Sequence, residues 1–144
     1  MFQSFTSLFD SNVRTAAISN IEFPINPDVR IVVLLTLKSL DCRNCVDEAV
    51  YLEYLNAKYG RDICFCAVVE KIGKTAIDNF RNEFSITYPF IEDPTILGSK
   101  IFSRYKSLIL IVSKDRKILR IDPIDFNIKK FQDEYENVLL SYLK

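Results

Sequence analysis

Two cysteines separated by two residues, Cys42-Arg43-Asn44-Cys45, are the part of this chain with the clearest capacity for chemistry. At that spacing one sulfur can attack a disulfide and the other can displace it, closing a small ring. Thiol–disulfide exchange of this kind needs a thiolate, and position decides whether one forms. Ahead of the pair runs Ile31-Val32-Val33-Leu34-Leu35-Thr36-Leu37, an apolar, β-branched stretch too short to span a membrane and read as a buried strand. Behind it, Cys45, Ala49, Leu52, Leu55 and Tyr59 recur at steps of three and four, one face of a helix. Cys42 therefore falls at or just before a helix N-terminus, where unpaired amides and the macrodipole favour the anion.

That placement assigns the roles. Cys42, first and more exposed, is the expected nucleophile; Cys45, one turn in and facing the core, is the expected resolving thiol. Arg43 favours the thiolate, whereas the Asp41 carboxylate opposes it. Glu70, ending the next strand, and Asp93, following Tyr88-Pro89, are candidates to shuttle protons to Cys45 from the same sheet edge. Zinc bound by all four cysteines is disfavoured. Cys64 and Cys66 share one side of their strand near its beginning, ~10 Å or more from the end of the strand that leads to Cys42. They read as small core residues. The chain has no histidine, which removes Cys–His and Ser–His catalysis and histidine metal sites. The expectation is no metal and no organic cofactor.

The elements that hold the pair follow from periodicity and turn residues. Residues 1–28 are an N-terminal extension with Pro24 and Pro27 near its end, and 29–144 a single domain. Within the domain a strand covers Asp28 to Leu37, overlapping the extension by one residue, and a helix runs from Arg43 to about Tyr59. Gly60 stops that helix by taking a left-handed conformation. A strand runs from Ile63 to Glu70, and a helix over 75–84 places Ile77, Phe80 and Phe84 on one face. A loop from Ile86 to Pro94 has a short extended piece around Pro89-Phe90-Ile91, and a further helix spans Thr95 to about Tyr105. Leu108–Ser113 and Lys117–Ile121 form a hairpin around Lys114-Asp115-Arg116. A last helix starts near Asn127, with Ile128, Phe131, Tyr135, Val138 and Tyr142 in register. Strands alternating with helices call for parallel pairing with right-handed crossovers, and the late hairpin adds antiparallel strands.

With those elements in place, the chain resembles the thioredoxin-like superfamily, specifically its TlpA-like and AhpC/TSA-like thiol–disulfide proteins. The resemblance is carried by Leu37 to Cys45, by Cys66-Ala67-Val68-Val69-Glu70, by Phe80 to Asp93 with its Ile86-Thr87-Tyr88-Pro89 segment, and by Leu108 to Leu119. It covers roughly residues 29–140 and implies an α/β thioredoxin-like fold, a mixed central β-sheet flanked by helices on both faces. It further implies a thiol–disulfide oxidoreductase whose partner is a cysteine-containing protein, exported to the cell envelope or periplasm, with the cytoplasm as the alternative location. Three departures stand out. The family usually opens the strand facing its cysteines with a cis-proline that docks substrate, and here that position falls on Ser107, followed by Leu108. The aromatic residue that usually precedes the first cysteine is Asp41. The peroxidase pattern is half met, with Ser39 in place but Leu35 where a proline belongs. The alternative function is a thioredoxin-fold binding or accessory domain whose cysteines no longer turn over.

Bulk composition narrows the partners. Nineteen basic residues balance nineteen acidic ones, which gives no electrostatic argument for nucleic acid or an anionic membrane. No stretch approaches the roughly 20 apolar residues of a transmembrane span. Met1–Asp10 carries Phe2, Phe5, Leu8 and Phe9 without a charged leader region and is not read as a signal peptide. The oligomeric state has no signature in the sequence.

Overall fold

The computed structural model of the chain describes residues 29–37, 40, 43–69, 72–92, 107–115, 117–123 and 128–143. Among these residues, eight elements follow in order: β1 Ile31–Leu37, α1 Arg43–Tyr59, β2 Ile63–Val69, α2 Lys74–Glu83, β3 Phe90–Glu92, β4 Ser107–Ser113, β5 Ile118–Pro123 and α3 Ile128–Ser141. The five strands form one mixed sheet in the order β3-β2-β1-β4-β5. β1 pairs in parallel with β2, and β2 with β3, whereas β4 runs antiparallel to both β1 and β5.

β1 is the central strand, and all seven of its residues are buried. A strand with partners on both edges and cover on both faces has no exposed side to make polar, hence its unbroken apolar run. Alternate residues serve different layers. Val33, Leu35 and Leu37 join Phe65, Ala67 and Val69 of β2 and Ile109 and Ile111 of β4 in one apolar cluster. Onto it pack Ala49, Leu52 and Leu55 of α1, Ile77 and Phe80 of α2, and Phe131, Tyr135, Val138 and Leu139 of α3. The residues of the opposite face, among them Val32, Leu34, Cys66, Val68 and Leu110, are buried as well. The helix expected over 95–105 and the segment 1–28 lie outside the described residues.

Two local readings change. The extended piece around Phe90 is a true edge strand, pairing Ala67 with Phe90 and Val69 with Glu92. Its three residues are too few to show a period, so only the pairing identifies it. Gly60 does end α1, but not through a left-handed backbone: the positive-φ glycine among the described residues is Gly73. The reason at Gly60 is space. A Cβ there would lie 2.5 Å from the Asn56 carbonyl oxygen, the same oxygen that accepts the Gly60 amide at 2.8 Å.

One buried carboxylate sits under α3. Asp122 on β5 is fully buried and pairs through Oδ2 with Arg120 Nε at 2.6 Å. Burial pushes its carboxyl up to about 6, the Arg120 guanidinium offsetting only part of that cost. The folded protein then binds the Asp122 proton more tightly than the unfolded chain does, so this group stabilises the fold at low pH. That contribution is lost as pH rises from about 4 to about 6. Urea unfolding between pH 4 and 7 is expected to show that decline, and Asp122→Asn, which cannot ionise, to remove it. A variant with the same slope as the parent protein would refute the assignment.

Candidate active site

The end of β1 that leads towards α1 is where the described site residues meet. Arg43 opens α1 and is exposed, as is Asn44. Cys45 is buried at 2% exposure and is disulfide-bonded, whereas Cys64 and Cys66 carry thiols. Of the other expected site residues, Asp41, Cys42, Glu70 and Asp93 lie outside the described residues. Next to Asp93, Glu92 Oε2 accepts the backbone amides of Ile72 and Gly73, both at 3.1 Å, and so holds the chain just ahead of α2.

Ser107 and Leu108 come to the same end of the sheet, because the antiparallel register sets Ser107 against Leu37 and Leu108 against Thr36. The peptide bond into Leu108 is trans, and there is no cis peptide bond among the described residues. Leu108 does not present its backbone outward. Its amide donates to Thr36 Oγ1 at 2.9 Å, and its carbonyl accepts from the same hydroxyl at 3.3 Å. Thr36 is a polar residue on a strand otherwise wholly apolar, and this contact with the start of β4 accounts for it.

The sequence reading missed Glu48. It is an acidic residue at 2% exposure, on the buried side of α1 and one turn beyond Cys45. Its Oε2 accepts the Ser107 hydroxyl at 2.5 Å. A buried carboxylate is costly unless hydrogen-bonded, and this contact between α1 and the start of β4 offsets part of that cost. A signal was available: Glu48 stands beside Ala49 inside the apolar stripe that starts at Cys45, where a surface glutamate would not be placed.

The second pair of cysteines is remote from this end. Cys64 pairs with Val32, five residues before Leu37 along β1, or roughly 17 Å at strand spacing. Burial raises the proton affinity of both thiols, and the charge of neighbouring Cys64 adds to the effect at the fully buried Cys66. Such thiols are poor nucleophiles at neutral pH. No group of three or more potential metal ligands occurs among the described residues.

Beside the first half of α1 lies an open groove of about 790 Å³, floored by Val46, Val50, Tyr51, Tyr54 and Phe84 and faced by Lys129, Gln132, Asp133 and Glu136 around α3. Tyr51 donates to the Gln132 carbonyl at 3.3 Å, and Lys58 and Tyr59 both donate to Glu136 Oε1, at 2.8 and 2.9 Å. These bonds tie α1 to α3 and fix the helix that carries Cys45.

The element order, the mixed sheet with β1 at its centre, and a helix opening at the end of β1 are matched closely among solved structures. The fold is thioredoxin-like. A chain assigned as a thiol:disulfide interchange protein DsbE from Chlorobium tepidum superposes with a TM-score of 0.66 at 15% identity, over 81% of this chain and 82% of that one. A secreted Mycobacterium tuberculosis disulfide oxidoreductase homologous to Escherichia coli DsbE gives 0.57 at 15% identity, over 78% and 81%. Peroxiredoxin Q from Xanthomonas campestris gives 0.62 at 11% identity, over 80% of each chain. No protein-family model and no curated protein matches the sequence. In the thioredoxin-like frame, the Cys45 end of α1 and the Ser107 end of β4 lie at the same edge of the sheet.

Proposed function

We propose that this chain is a thiol–disulfide oxidoreductase that exchanges electrons with cysteine-containing proteins through Cys42 and Cys45. The observation that carries the reading is the disulfide at Cys45, buried in the first turns of the helix that follows the central strand. In the oxidising direction, a partner thiolate attacks the Cys42 sulfur and the bond between Cys42 and Cys45 breaks. Cys45 departs as a thiolate and takes up one proton. A second partner thiolate then attacks the partner's own sulfur in the mixed disulfide and releases Cys42. Two electrons pass from the partner to this chain, and the partner gains a disulfide. Run in reverse, the same steps reduce a partner. The helix N-terminus and Arg43 would stabilise the Cys42 thiolate, and Glu48, one turn from Cys45, would serve as a local proton acceptor and donor. Asp41, Glu70 and Asp93 stay proposed tuning groups. No metal or organic cofactor enters these steps.

An envelope or exported setting is part of the proposal, supported by the secreted Mycobacterium protein of the same fold. No helix among the described residues is long and apolar enough to cross a membrane.

A second reading, a thioredoxin-fold binding or accessory domain, is favoured by Ser107 and the trans bond into Leu108, whose backbone groups are both occupied by Thr36. Titration in glutathione buffers, with alkylation and mass mapping of every cysteine, decides between the two. A reversible two-electron transition confined to Cys42 and Cys45, with Cys66 protected throughout, is the expected result. Cysteines that stay unreactive in a folded protein would leave the binding-domain reading.

A further inference from the structure

A serine at the mouth of a strand is ordinary; one whose hydroxyl is buried against a carboxylate is not. Ser107 and Glu48 are 1% and 2% exposed, and the hydroxyl donates to Oε2 at 2.5 Å across 59 residues of sequence. The bond joins the first residue of β4 to the buried side of α1, three positions after Cys45. A proline here would offer neither the hydroxyl nor any other donor.

Among the described residues, most other ionisable side chains of the surrounding elements lie on the opposite face of the sheet, are exposed or bond to other groups. β1 carries no ionisable side chain, and those of β2, Cys64 and Cys66, take the opposite face of the sheet. Tyr88 directs its hydroxyl to the Ala49 carbonyl at 2.8 Å. On α3, Glu136 is held by Lys58, and Tyr135 lies under the electrostatic influence of Asp122 and Arg120 of β5. On α1 itself, Arg43 and Asp47 are exposed, and Tyr51 turns to Gln132. The Ser107 hydroxyl donates directly to the Glu48 carboxylate, and a donor to a carboxylate favours its ionised form.

We infer that Ser107 is a positioning residue for the dithiol: its hydroxyl holds the Glu48 carboxylate against the start of β4, one turn from Cys45, and so governs the proton that Cys45 exchanges. The exchange with Cys45 rests on the oxidoreductase reading; the hold on Glu48 does not.

Two measurements on the full chain test it. The first is an NMR titration of ¹³C-labelled glutamate, with the Glu48 resonance assigned through Glu48→Gln. Ser107→Ala is expected to raise the Glu48 midpoint by about one pH unit, and Ser107→Thr, which keeps the hydroxyl, to leave it near the parent value. The second is the reduction potential against pH in glutathione buffers. The break that Glu48 introduces is expected to move with the NMR midpoint in Ser107→Ala and to vanish in Glu48→Gln. An unmoved Glu48 midpoint in a folded Ser107→Ala protein overturns the inference, as does a break that persists in Glu48→Gln; should Ser107→Ala not fold, Ser107→Val, which has the shape of Ser107→Thr without the hydroxyl, supplies the same comparison. Absence of any reversible couple in the parent protein is a different failure. It overturns the oxidoreductase reading and the exchange with Cys45, while the NMR midpoints still decide whether Ser107 holds Glu48.

Discussion

Exposed to oxidised glutathione, a Cys45→Ser variant is expected to accumulate a persistent glutathione adduct on Cys42, where the parent protein closes its own disulfide and releases the adduct. The reason is geometric. The resolving sulfur is placed by the first turns of α1, and Cys45 is buried there at 2% exposure with its disulfide formed. Removing that sulfur leaves the first exchange possible and the second impossible, since a serine hydroxyl does not displace a thiolate. Cys42→Ser should instead abolish exchange altogether, a loss on the order of 10³-fold or more, as expected when the attacking group itself is removed. Intact mass spectrometry followed by peptide mapping reads both outcomes. An adduct on Cys64, or one on Cys42 that persists equally in the parent protein, would remove the nucleophile and resolving roles assigned here.

The largest loss of stability is expected from Phe65→Ala. Phe65 lies in β2 opposite Val33, at 2% exposure, inside the cluster on which the three described helices pack. Truncating it removes a whole ring from a layer bounded by three different helices, whose collapse onto the gap is restricted by the sheet. The expected cost is about 3–5 kcal/mol, or a melting temperature lower by about 10–20 °C for a chain of this size. Leu119→Ala is the control: Leu119 is an exposed residue of β5, and its loss should stay within about 0.5 kcal/mol. Equal melting temperatures for the two variants would mean that the buried layer is not the one described.

Most elements were legible before any coordinates. α1 begins and ends where the stripe of Cys45, Ala49, Leu52 and Leu55 places it, and β1, β2, the hairpin and the last helix fall within a few residues of expectation. Each of these buries one face or two, and burial prints a period on the sequence. The site was legible in part. The spacing of Cys42 and Cys45 and the helix that follows are local features, whereas Glu48 was overlooked because its reason for being buried lies on another strand.

By itself the sequence determined that this is an alternating α/β chain with two cysteines spaced by two residues at the entry to the helix after β1, and with no histidine, because composition and local periodicity are properties of neighbours in the chain. Tertiary structure alone decided that Phe90–Glu92 completes the sheet, that Gly60 is required by the nearness of the Asn56 carbonyl, and that Ser107 meets Glu48. These depend on strand register and on the close approach of atoms, and no pattern within a single segment encodes which residue of a distant strand will stand opposite.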